Sequence, residues 1–169
     1  MKPAITEEFI ASISRKDILS VDIATKTGFY NVYEHGMVKF PNNDKAPKYL
    51  GPDYGQHKAF RQWLIDMINK HHVKMIVAED LIMGHGYMDI RKLGEFHGIL
   101  HEVCETYEIA LVKINPTHLK SWATGKGNAD KQMMIQACEK RWHIEPQDDN
   151  EADAVHLFFY LCQRYKLNI

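Results

Sequence analysis

Residues 148–158 read DDNEADAVHLF, four acids within six positions and then an apolar run. Acids at a helix start oppose the macrodipole and cap free N–H groups. Taken alone, the stretch asks for nothing more. Within it Asp149 and Asp153 stand four apart and share one helical face. Ala154, Leu157, Phe158 and Leu161 form the apolar face that turns the same helix inward. Whether the acids do more than cap depends on where the rest of the chain places its own.

Two apolar runs upstream end in acids. DILSVDIAT, residues 17–25, reads as a buried strand closing on Asp22, and VKMIVAEDLI, residues 73–82, as one closing on Glu79. Between them GFYNVYEHGMVKF fits a hairpin turning at Gly36. Residues 41–53 are rich in Pro, Asn, Asp and Gly and read as loop. Phe60, Trp63, Leu64, Met67 and Ile68 have helical spacing over 54–69. GYMDIRKLGEFHGILHEVCETYE carries Leu93, Phe96, Leu100, Val103 and Tyr107 at three- and four-residue steps, a long amphipathic helix. IALVKINP is a further strand, stopped by Pro116, with a helical turn over 117–122. The Gly-rich TGKGN then leads into the helix ADKQMMIQACEKRW, capped by Asn128. Residues 1–16 are weakly helical and read as an N-terminal extension, leaving 17–169 as one domain. Three antiparallel strands followed by alternating βα units give an α/β fold, a mixed five-stranded sheet flanked by helices.

Ligands of such sheets sit at the carboxyl ends of the parallel strands, and that is where the acids fall. Asp22, Glu79, Asp149 and Asp153, gathered there, suit hard divalent cations, Mg²⁺ or Mn²⁺. Clustered carboxylates repel one another and need cations or raised pKa values to coexist. Two such ions activate a water and stabilise the leaving oxygen in phosphodiester hydrolysis. Singly, Asp22 is as well explained as a turn residue and Asp149 as a helix cap. Together, a strand-end Asp, a strand-end Glu and a helix-opening Asp-x-x-x-Asp follow the pattern of the ribonuclease H-like nuclease fold.

The totals set outer bounds. The chain has 169 residues, a formal net charge of −1 and 25% charged residues, ordinary for a globular domain. Charge distribution says more than the total: Lys113 to Arg141 carries a net of +4, while Glu145 to Asp153 holds five acids and no base. A basic stretch beside an acidic cluster suits a protein that holds phosphates next to metal ions. No run is long enough for a signal peptide or a membrane span. Cys104, Cys138 and Cys162 form no CxxC pair, so a reduced, cytoplasmic protein is expected.

The sequence resembles the RuvC-type Holliday junction resolvases, especially short phage-like members, from Ile18 to Tyr165. DILSVDIATKTGFYNV, VAEDLIMGHGYMDIRKLGEFHGIL, INPTHLKSWATGKGNADKQ and DDNEADAVHLF carry the resemblance. It implies a metal-dependent endodeoxyribonuclease, in a bacterial or phage-infected cell, that resolves four-way DNA junctions by paired nicks. It also implies Asp22, Glu79 and the acids around 149–153 as ligands of two Mg²⁺ or Mn²⁺ ions, and Lys120 and Lys131 as phosphate-facing lysines. A homodimer built partly on helix 88–107 completes the expectation. Lys131 is the candidate for stabilising charge at the reacting phosphate; Lys126, in the Gly-rich loop, would neutralise a DNA phosphate.

Three departures accompany the resemblance. The usual Asp-Pro-Gly of the first strand is Asp22-Ile23-Ala24. Asn150 stands where a second Asp is often found, so either Asp149 or Asn150 completes the ligand set. Where an aromatic wedge often follows the Glu, this chain has Ile82 and Met83, with Tyr87 the nearest aromatic. His97 and His101 are four apart on a helix but have no third partner, and read as solvated or interface residues. The rival readings are another nuclease of the same fold, acting on flaps, forks or RNA–DNA hybrids, and a non-catalytic junction-binding protein. An actin-like ATPase fold also opens on an Asp and a Thr/Gly turn, but is normally much longer.

Overall fold

The apolar run ILSVD forms β1 (Ile18–Asp22) at the centre of a five-stranded sheet of order β3-β2-β1-β4-β5. The computed structural model describes residues 1–41, 54–82 and 86–167, without the side chains of 87–89. β2 (Lys26–Tyr30) and β3 (His35–Lys39) join β1 antiparallel, while β4 (Met75–Glu79) and β5 (Ala110–Ile114) extend the other side in parallel. Parallel pairing needs crossovers, supplied by α2 (Tyr54–His71) before β4 and α3 (Tyr87–Thr106) before β5. After β5 come α4 (Pro116–Thr124), α5 (Lys131–Trp142) and α6 (Asp149–Arg164). Residues 1–17 hold only α1 (Glu7–Ala11) and a 3-10 turn, with Ile13 buried against the domain. Beyond residue 41, the loop expected at 41–53 lies outside the described residues, as does Met83.

Strand alternation sorts the core into two layers. Leu19, Val21, Ile76 and Ala78 pack with Phe60, Leu64, Phe96 and Leu100 on the α2/α3 face. Ile18, Met75, Val77 and Val112 pack with Leu119, Leu157, Phe158 and Leu161 on the α4/α6 face. Each large side chain buried here contributes about 1.5–3 kcal/mol. The same alternation puts Asp22, two and four residues beyond Ser20 and Ile18, on the α6 face, and Glu79 there by the same step from Met75 and Val77.

Two expectations change. The hairpin turns at Asn31, not Gly36: Asn31 Oδ1 accepts from the N–H groups of Tyr33 and Glu34, both at 2.8 Å, and Gly36 lies within β3. α5 is capped by Asp130, not Asn128; the Asp130 carboxylate accepts from Met133 N at 2.9 Å. The turn over 117–122 is a full helix, begun by Asn115 as cap and Pro116 at its first position. Trp63, Trp122 and Trp142 pack inside aromatic clusters, Trp142 face to face with Phe159 at 4.0 Å between ring centroids. His156 is buried too, accepting from Trp142 Nε1 and donating to Met134 O.

Candidate active site

α6 lies across β1 and β2 because the sheet leaves room for it at one residue. Gly28 faces Asp22 in the β1–β2 register. A Cβ on Gly28 would stand 1.9 Å from the Asn150 carbonyl oxygen and 2.5 Å from Glu151 N. The first turn of α6 therefore rests directly on bare backbone beside Asp22. Ser20 Oγ fixes the next turn, donating to Ala154 O at 2.6 Å. Asp148 is the N-cap, its Oδ1 accepting from Glu151 N at 2.9 Å while Oδ2 pairs with Lys26 Nζ at 3.1 Å. Buried Glu151 pairs with His35 and accepts from Gln147 N, tying α6 to β3. With Asp148 as cap, Asp149 and Asp153 are released for other work.

Asp22, Glu79, Asp153 and Lys120 line one cleft of about 250 Å³ at the carboxyl end of β1 and β4, together with Asp80, Ile82, Leu93, His97 and Pro116. Burial, then repulsion from Glu79, Asp153, Asp149 and Asp148, raises the Asp22 carboxyl well above its usual range. Burial, then Glu79 and Asp149, does the same to Asp153, against the pull of Lys120 and Lys131. Burial pushes Glu79 up to about 7, opposed by Lys120. Asp149 acts on Asp22 and Asp153 through its charge and pairs with Lys131 Nζ at 2.8 Å.

The structure thus brings together Asp22, Glu79, Asp153, Lys120 and, through its ion pair, Lys131 with Asp149. Ile82 is partly exposed at the cleft. Lys126 is exposed on the loop after α4 and has no ion pair among the described residues. Tyr87 opens α3, but its side chain lies outside the described residues. The glycines beside Lys126 have structural reasons: Gly125 ends α4 with φ +82°, and a Cβ on Gly127 would stand 2.9 Å from Thr117 Cγ2. In the sequence Gly28 only fits the first-strand motif, its seat under α6 unread, and His97, expected to be solvated or at an interface, is instead buried against Lys113. A glycine inside a strand was the one available signal for the first.

A hard cation fits the chemistry of this site. Glu79 Oε1 and Asp153 Oδ1 are buried without a hydrogen-bond partner, and such orphaned oxygens are rare in native structures. Among the described residues no three His, Cys, Asp or Glu side chains close into a ready-made metal cage. Repulsion among these carboxylates opposes such a cage without a cation to hold it.

A sheet ordered β3-β2-β1-β4-β5 with helices on both faces is a ribonuclease H-like fold. No family model matches the chain. Over 138 residues, 76% of this chain and 84% of the relative, it is 25% identical to the crossover junction endodeoxyribonuclease RuvC of Caldanaerobacter subterraneus subsp. tengcongensis. The fold matches T. thermophilus RuvC in complex with a Holliday junction substrate, with a TM-score of 0.65 at 12% identity, covering 88% of this chain and 96% of that one. It also matches the yeast mitochondrial Holliday junction resolvase, with a TM-score of 0.57 at 11% identity over 90% and 80% of the two chains. By sequence and by fold, the chain resembles RuvC-type resolvases over most of its length.

Proposed function

We propose that this chain is a structure-selective endodeoxyribonuclease that resolves four-way DNA junctions by paired nicks, as a homodimer, with divalent metal. Its setting is the cytoplasm of a bacterial or phage-infected cell; no helix among the described residues is long and apolar enough to cross a membrane. The observation that carries the reading is the meeting of Asp22, Glu79 and Asp153 in one cleft, with buried oxygens left unpartnered, on a RuvC-like fold.

Asp22, Glu79 and Asp153 would hold Mg²⁺ or Mn²⁺, two ions per site, with Asp149 completing the shell. Bound there, such ions supply an activated water and stabilise the leaving oxygen. The chain's own residues do the rest. Lys131, 81% exposed and already paired with Asp149, is placed to exchange that partner for a DNA phosphate. Lys120, inside the cleft, offsets the carboxylates' charge and faces the scissile strand. Lys126 extends the cationic side outward as a backbone contact. Ile82, partly exposed at the cleft, stands where a wedge would part the strands; Tyr87 is the second candidate.

The test is a nicking assay on a labelled four-way junction in Mg²⁺ or Mn²⁺, beside linear duplex, flap and RNA–DNA hybrid. Symmetric paired nicks on the junction, abolished by Asp22→Asn, are expected. Preferential cutting of flaps or hybrids would move the activity to another nuclease of this fold. Tight junction binding with no cleavage in either metal would make the protein a non-catalytic binder.

A further inference from the structure

The cleft has a second wall, built unlike the first. Leu81, Ile82, Leu93 and Pro116 line it together with the Asp80 carboxylate and one ring nitrogen donor, that of His97 on α3. Lys113 projects from the α3 side of β5 and donates from Nζ to His97 Nδ1 at 2.9 Å. Its ammonium also stands 3.8 Å from Asp80 Oδ1. An ammonium has only protons to give, so Nδ1 accepts and the ring's proton sits on Nε2. Burial, and then the adjacent ammonium, push His97 down to about 4, so the ring is neutral at physiological pH. Nε2 has no hydrogen-bond partner among the described residues, yet it is not sealed from solvent. The result is one N–H of fixed polarity beside four apolar side chains, with the Asp80 carboxylate at the same part of the cleft and the residues that would cut close by.

A phosphate would favour Lys120 within the cleft and Lys131 beside Asp149. Apolar side chains with one oriented neutral donor suit a nucleobase, whose faces pack and whose edge presents a neutral acceptor. Fixing the tautomer matters, because a ring free to exchange donor for acceptor would not tell one base edge from another. We propose that His97 is a specificity-determining residue: its Nε2–H hydrogen-bonds an acceptor edge of the base flanking the scissile phosphate, with Leu81, Leu93 and Pro116 against that base. The inference rests on the junction-cutting reading above. Lys113 is the positioning residue that holds the ring's tautomer.

The experiment is nicking of a four-way junction set carrying each of the four bases at the positions flanking the cut. Wild type, His97→Leu, His97→Gln and Lys113→Met are compared in Mg²⁺, with thermal unfolding of each to establish that it is folded. Wild type is expected to prefer one base at a flanking position by on the order of tenfold, the worth of one hydrogen bond. His97→Leu should flatten that preference, His97→Gln, which keeps an N–H donor, should retain part of it, and Lys113→Met should blur it. If His97→Leu does not fold, the other two variants decide. Junction cutting with no base preference in wild type, or with the preference unchanged in the variants, overturns the role of His97 and leaves the nuclease reading standing. No junction cutting by wild type in either Mg²⁺ or Mn²⁺ removes both.

Discussion

Gly28 shows how one missing side chain builds the site. Asn150 O occupies the space a Cβ would need, and a 1.9 Å approach cannot be relieved by a rotamer change, because the backbone fixes the Cβ and its neighbour is itself backbone. Gly28→Ala must therefore lift the first turn of α6, and with it Asp149 and Asp153, away from Asp22. We expect a stability loss of about 1–3 kcal/mol. Nicking should fall by about a hundredfold or more, since a displacement near 1 Å has that effect on catalytic geometry. Thermal unfolding and single-turnover nicking measure the two separately; unchanged nicking would mean that α6 is not seated as described. The carboxylates make the second case at this scale. The Glu79 carboxyl lies near 7 against an ordinary 4.5, and Asp22 and Asp153 move in the same direction. A raised folded-state pKa favours the protonated acid, so this contribution to stability is complete below 4.5 and is lost as pH rises through about 7. Without metal at pH 8, Asp22→Asn should therefore melt higher than wild type, by on the order of 1–2 kcal/mol once screening is allowed for, while nicking is abolished. Mg²⁺ should raise the wild-type midpoint at that pH and raise the variant's less. A lower midpoint for metal-free Asp22→Asn would contradict the repulsion described.

At the scale of elements, α6 divides its acids between two tasks, and neighbouring substitutions should separate them. Asp148 caps the helix and pairs with Lys26, whereas Asp149 makes no capping bond and pairs with Lys131. Asp148→Ala should lower stability by about 1 kcal/mol, with nicking reduced only as far as the helix start frays. Asp149→Ala should change stability little and lower nicking more; the reverse order would exchange the two assignments. This division was not legible in DDNEADAVHLF, because it turns on a helix start fixed to within one residue. The strands and longer helices were legible, since β1 and β4 are short apolar runs buried on both faces and α2 and α3 follow the 3.6-residue period that burial imposes. Asp22 and Glu79 were legible for the same reason, each closing an apolar run. Where local chemistry offered two answers the sequence misled: Gly36 stood near the hairpin, but the Asn31 side chain closes it, and Asn128 preceded a helix that Asp130 caps. Gly28 against Asn150, and Lys113 against His97, depend on elements far apart in the chain meeting in space, and no local pattern announces such meetings.

For the whole molecule, the proposed junction cutting raises the question of how one site becomes two on a symmetric junction. α3 buries Phe96, Leu100, Val103 and Cys104 against the sheet and α2. On its outward side Gly94 and Gly98, one helical turn apart, are exposed, and a Cβ on either would meet nothing within 4 Å. A glycine inside a helix costs about 0.5–1 kcal/mol relative to alanine, and nothing among the described residues requires either one. The dimer proposed above would use them, in the close approach of a second α3 across a two-fold axis. The two substitution sizes then have opposite consequences. Gly98→Ala should stabilise an isolated chain by about 0.5–1 kcal/mol, whereas Gly94→Leu with Gly98→Leu should hold two helices apart and shift the protein toward monomer in light scattering. On a supercoiled plasmid extruding a cruciform, a dimer that cuts both strands within one encounter yields linear product. The double leucine variant should yield nicked circles, with its unpaired site still able to cut. Linear product from a variant shown to be monomeric would separate paired cutting from this face of α3 and place the two-fold elsewhere on the molecule.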